Sequence, residues 1–191
     1  MEATRIKIAA LKQQRAHTTS QLENKRLDSL IRISQSLASA VNSEDLIRMI
    51  AHDVCAYTDA DQVFLLLQDA QGELRIRSEW NKAGRPNRQA VSTSVCSRVM
   101  EGEDILIPEA MNDALFQSKE SVVLLDLRSV LATPIRPLRS NIPNGILYAC
   151  SYTAGELFKS DDLEFLKAVA AIISIHLQLA ELLDKKECRK A

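Results

Sequence analysis

The 191 residues carry 46% hydrophobic and 26% charged side chains, a globular balance that excludes wholesale disorder and allows one domain plus an attachment. Glycine and proline are scarce at 5 each, which argues against a glycine-rich cofactor fold and for long uninterrupted elements. The net charge of −1 divides into a basic stretch over 1–42, an acidic one over 43–180 and a mildly basic tail, so no basic stripe is offered to nucleic acid.

Residues 2–16 are helix-prone and charged, and His17-Thr18-Thr19-Ser20 weakens the pattern. From Gln21 to Val41, Leu27, Leu30, Ile31, Leu37, Ala38 and Val41 recur at three- and four-residue spacing, which predicts an amphipathic helix. Asn42-Ser43 interrupts it. Ser43 caps a second helix carrying Leu46, Ile47, Ile50, Val54 and Tyr57 to about Thr58, with Glu44 and Asp45 at its positive end. The period then changes. Val63–Leu67 is a short apolar run, Asp69–Gly72 a turn cluster, and Leu74, Ile76, Ser78 and Trp80 alternate with charged residues, which predicts a β-hairpin. Residues 81–88 read as loop. Ser92–Ser94 caps a short helix over Val95–Glu101, stopped by Gly102, and Asp104–Ile107 is a strand ended by Pro108. Residues 109–118 are irregular, and Ser118 opens a short helix holding Val122, Val123, Leu124 and Leu125. Ser129–Thr133 and Gly145–Cys150 are strands either side of the polar excursion Pro137–Asn144. Ser160 and Asp161-Asp162 open a last helix, which over 161–190 would be about 45 Å long. Hairpin connections imply a largely antiparallel sheet with helices on one face, an α+β domain.

The chemistry-bearing residues are sparse. Cys55, Cys96, Cys150 and Cys188 lie 41, 54 and 38 residues apart, which is neither a disulfide framework nor a zinc spacing and points to a reduced, cytoplasmic protein. His52 and Cys55 lie one helical turn apart but have no recognisable third ligand, so no metal is assigned. There is no Gly-x-Ser-x-Gly elbow, glycine-rich phosphate loop or His-Glu-x-x-His, and no catalytic residue is assigned. The longest apolar run, Ala168 to Ile175, is followed by His176 and Gln178, which reads as a buried helix and not a membrane span. The N-terminus lacks a signal-peptide core.

Six features in order resemble a GAF domain, a small-molecule sensory module of bacterial regulators and some phosphodiesterases. They are the helix ending in Leu37–Leu46, Ala60-Asp61, Val91-Ser92 before Val95 and Val99, Leu127–Ile135, Gly145–Tyr148, and Phe158 through Asp162-Leu163. The resemblance implies a GAF-like α+β fold: a central antiparallel twisted sheet of five to six strands, with N- and C-terminal helices packed on one face. The domain would occupy 21–183, flanked by a helical extension over 1–20 and a helical connector over 184–191. A pocket roofed by the segment between Val91 and Leu127 would take an unidentified small molecule. By position, Trp80 would stack on a ring, Arg88 would meet an anionic group, Ser92, Asp113, Ser121 and Ser129 would offer polar contacts, and Phe116 would close the mouth. Cys96 would face the pocket as a thiol. The Asn-Lys pair of cyclic-nucleotide-binding relatives is missing from the strand end, where Cys150-Ser151 stands, and Leu163 replaces their Glu. The Cys-His dipeptide common at bilin attachment is absent, and the cysteines are too far apart for the pattern of free methionine sulfoxide reductase. The expectation is a non-catalytic sensory domain. It would form a homodimer through Leu27, Leu30, Ile31 and Leu37 of the first helix and Ile173, Leu177 and Ala180 of the last, passing its signal to an output domain without touching nucleic acid or membrane. The alternative is a dimerisation or protein-interaction module whose pocket is vestigial.

Overall fold

The computed structural model describes residues 43–82, 91–110, 127–138 and 140–188, together with residues 21, 24, 26–33 and 35. Residues 26–33 are helical (α1), followed by α2 (Ser43–Thr58), β1 (Gln62–Gln68), β2 (Leu74–Asn81), α3 (Thr93–Met100), β3 (Ile105–Ile107), β4 (Ser129–Ile135), β5 (Gly145–Ser151) and α4 (Ser160–Cys188). The side chains of Ser43, Glu44 and Asp45, and the expected helix from Ser118 to Leu125, lie outside the described residues.

The strands form one sheet in the order β2-β1-β5-β4-β3, with every neighbouring pair antiparallel. β1, β4 and β5 are apolar almost without interruption because both faces of the sheet are covered. On one face Val63, Leu65, Leu131, Ile135, Leu147 and Ala149 pack against Ile33 of α1, Ile47, Ile50, Ala51, Val54 and Cys55 of α2, and Phe165, Leu166, Val169, Ala170 and Ile173 of α4. The α2 residues recur at i, i+3, i+4, i+7 and i+8, one stripe of a 3.6-residue period. On the other face Phe64, Leu66, Val130, Ala132, Ile146, Tyr148 and Cys150 meet Val95, Cys96 and Val99 of α3.

By length and composition Ser160–Ala180 is apolar enough to cross a membrane. Its buried apolar residues Phe165, Leu166, Val169, Ala170 and Ile173 belong to the shared core. Asp162 accepts the Lys159 N–H at 2.8 Å, satisfying one of the amides that a helix start leaves without a partner. Burial nevertheless raises the Asp162 pKa, and Arg26 of α1 and the backbone of Lys159 oppose that shift.

A buried carboxylate locks the central strands. Asp61, 2% exposed, accepts from Ser151 Oγ (2.8 Å), Tyr152 N (2.9 Å), Thr153 N (3.2 Å) and Thr153 Oγ1 (2.8 Å). Tyr152 Oη donates to buried Gln62 Oε1 at 2.8 Å. These bonds fasten the start of β1 to the exit of β5 and satisfy a charge that would otherwise be costly to bury.

Candidate functional site

The hairpin alternation of the sequence places Leu74, Ile76, Ser78 and Trp80 on one face, and the structure divides them. The β1–β2 register shifts between Leu65 and Leu66, which pair with Ser78 and Ile76, so Arg77 is the extra residue of a β-bulge. Leu74 and Ile76 therefore share the side of Leu66, whereas Ser78 and Trp80 share the side of Leu65 and Val63. Trp80 packs with the α2 and α4 cluster, its ring edge-on to His52 at 5.4 Å and 76°. The bulge thus puts Trp80 on the face opposite Ser92 and Cys96, correcting its assignment to a pocket wall shared with them.

The face covered by α3 is where expected residues converge. Ser92 caps α3: its Oγ accepts from Val95 N at 3.4 Å and lies 3.0 Å from Ser94 Oγ. Cys96 follows one turn on. Across from them Tyr148 rises from the middle of β5, its ring edge-on to Phe64 at 6.1 Å and 68°. Tyr148 is 0% exposed, and its hydroxyl, beside the Ser92 backbone, meets no partner at full hydrogen-bond geometry among the described residues. Burial pushes its pKa well above the usual tyrosine value, with Cys150 and Cys96 adding to the shift and the backbone of Ser92 opposing it. The thiols here are protonated: burial raises Cys96 to about 11 and Cys150 to about 12. The wall of Phe64, Val95, Cys96, Val99, Val130 and Cys150 is thus apolar and uncharged around the Tyr148 phenol, with every one of these side chains buried. Nucleophilic catalysis would instead need an ionised thiol.

Ser129 is fully buried and donates to Ile107 O at 3.2 Å, fastening β3 to β4. Arg88, Asp113, Phe116, Ser121 and Leu37 lie outside the described residues. His52 is exposed and 3.4 Å from Asp53 Oδ1, while Cys55 is buried and donates to Ala60 O at 2.7 Å. No group of three His, Cys, Asp or Glu among the described residues is placed to hold a metal. Of the residues expected on the dimer face, Leu27 and Ile31 are exposed, whereas Leu30 and Leu177 pack against the core and Ala180 is half-buried. Ile173, at 2% exposure, is corrected to a core residue of its own domain. The exposed stripe on α4 is Ile175, Leu179 and Leu182, at i, i+4 and i+7. Tyr148 and Asp61 carry no assigned role in the sequence reading. A solitary phenol within the apolar strand Gly145–Ser151 is the signal that marks Tyr148.

An antiparallel five-stranded sheet with helices on both faces defines a small α+β domain. The GAF domain family model matches residues 42–177, and the chain belongs to the GAF domain family. GAF domains are commonly sensory, small-molecule-binding regulatory modules in bacteria and are generally non-catalytic. The chain is similar to the GAF domain of a putative sensor histidine kinase from Pseudomonas syringae pv. tomato, with a TM-score of 0.66, 19% identity and coverage of 89% of this chain and 98% of that one. It is also similar to the GAF domain of a phosphoenolpyruvate-protein phosphotransferase from Coxiella burnetii (TM-score 0.65, 18% identity, 84% and 97% covered). A third similar structure is a far-red-absorbing dark state with bound biliverdin IXa (TM-score 0.63, 12% identity, 80% and 99% covered). These likenesses show the fold. No curated protein matches the chain.

Proposed function

We propose that the chain is a non-catalytic sensory domain that binds a small molecule between β5 and α3. Binding would be passed through paired copies of α1 and α4 to an output domain in the cytoplasm. The observation that carries this reading is the fully buried Tyr148 hydroxyl beside the N-cap of α3, without a partner at full hydrogen-bond geometry among the described residues. A buried polar group without a partner is costly, and a ligand atom bonded to it recovers that cost on binding. The neutral wall favours an uncharged, largely apolar ligand. The biliverdin-bound relative supports a small-molecule ligand in general.

Native mass spectrometry of freshly purified protein, followed by a thermal-shift screen of metabolites, tests this reading. A true ligand at a hundred times its Kd stabilises the fold by about 2.7 kcal/mol. Tyr148→Phe should keep the fold and weaken that ligand about tenfold. A library in which nothing shifts the melting temperature, or a ligand indifferent to Tyr148→Phe, overturns the assignment. A second reading, an interaction module with a vestigial pocket, is favoured by the close filling of this face with Phe64, Val95, Val99 and Val130. A silent library combined with an intact dimer selects it.

A further inference from the structure

α3 is held in two different ways along its length. Its inner face, Val95, Cys96 and Val99, meets the sheet through apolar contact, which has no direction and tolerates small slides. Its C-terminal end is fixed by directional bonds. Glu103 N donates to Arg98 O (3.2 Å) and Gly102 N to Val99 O (2.9 Å), a Schellman motif with Gly102 at φ +102°. The Arg98 guanidinium, bonded through Nε to Glu103 Oε2 at 2.8 Å, braces it.

From this cap one polar link reaches α4 through Arg136, the residue after β4, and a second reaches it directly from Asp104, which also holds β4. The Gly102 carbonyl accepts from Arg136 Nη2 at 2.5 Å, and the carbonyl of Arg136 itself accepts from the buried Ser174 hydroxyl of α4. Asp104 Oδ1 accepts from Thr133 Oγ1 at 2.5 Å, while its Oδ2 lies 3.7 Å from Lys167 Nζ of α4. Lys167 and Ser174 are seven residues apart, about two turns, on one face of the helix. Gly102 and Asp104, just past the C-cap of α3, are therefore tied to α4 at two heights.

We propose that Gly102–Asp104 is a coupling element that carries displacement of α3 to α4. The sensory reading supplies what moves α3, a ligand, but the coupling exists without one. A shift at the C-terminal end of α3 must either break the bonds to Arg136 and Thr133 or draw β4 and α4 with it. Two attachment points two turns apart also resist tilt, so α4 would respond as a rigid body.

Hydrogen exchange followed by mass spectrometry on the whole chain, with no ligand present, tests the coupling. Val99→Ala loosens α3. In the parent chain it should speed exchange across residues 168–178 of α4 by about fivefold, and in an Arg136→Gln/Lys167→Met background by less than about twofold. The same acceleration in both backgrounds, or a loosened α3 with α4 unchanged in the parent, overturns the proposal. Should Val99→Ala not fold, Val99→Leu displaces α3 by overpacking and is read by the same two criteria. Because no ligand enters the experiment, its failure leaves the ligand-binding reading standing, and a silent ligand screen leaves the coupling standing.

Discussion

At the scale of single residues, burial decides what the thiols can do. Desolvation is the leading cause in each case, raising Cys55 and Cys150 to about 12 and Cys96 to about 11 from an ordinary 9.0. The unfolded chain therefore gives up these protons first as pH climbs. The stability they contribute is complete below about pH 9 and is lost between 9 and 12. At pH 10 each thiol costs somewhat over about 1 kcal/mol, about 4 kcal/mol together, and urea unfolding at pH 8 and pH 10 measures it. A variant with Cys96→Ala should lose about a third less; equal losses would contradict the assignment to buried thiols. The spacing of the cysteines excluded a disulfide framework and a zinc site, whereas their burial is visible only in the fold. Tyr148 is marked only as a lone phenol in an apolar strand, and Asp61 not at all, because a buried hydroxyl and a fourfold-bonded carboxylate exist only once β1 and β5 are paired.

Among the elements, the apolar runs and turn residues revealed β1, β4 and β5 almost to their ends, since a strand covered on both faces is apolar at every position. α2 and α4 were equally readable from their three- and four-residue spacing. β2 was found, but the direction of its side chains was not. A bulge depends on how two strands pair, and no local feature of Leu74–Asn81 announces that Arg77 is skipped. Close pairing has a measurable counterpart at Gly145. A Cβ there would stand 2.5 Å from Leu67 Cδ2 and 2.6 Å from Leu66 O, the latter an immovable backbone atom in the central strand pair. Gly145→Ala should cost about 2–3 kcal/mol in urea unfolding, against about 1 kcal/mol for Gly72→Ala, where φ is +83° but the surroundings are open. Equal costs would mean that β1 and β5 part easily.

For the whole molecule, Leu27 and Ile31 of α1 and Ile175, Leu179 and Leu182 of α4 leave large apolar side chains outside the core. If they meet a second copy, light scattering at micromolar concentration should give a dimer, and Leu179→Glu with Leu182→Glu a monomer of unchanged circular dichroism. A parent chain that is already monomeric sinks this arrangement. The sheet that carries these helices has a broader consequence for how such a domain can change. In β1, β4 and β5 successive residues serve opposite cores, so hardly a peptide unit there belongs to only one of them. A substitution that reshapes the α3 side moves the backbone that also seats α2 and α4. Altering recognition through the central strands would therefore disturb output as well. The freer ground is α3 itself and the edge strand β2, none of whose residues is fully buried. A lineage or an engineer seeking a new ligand with the old response would find its tolerated changes there.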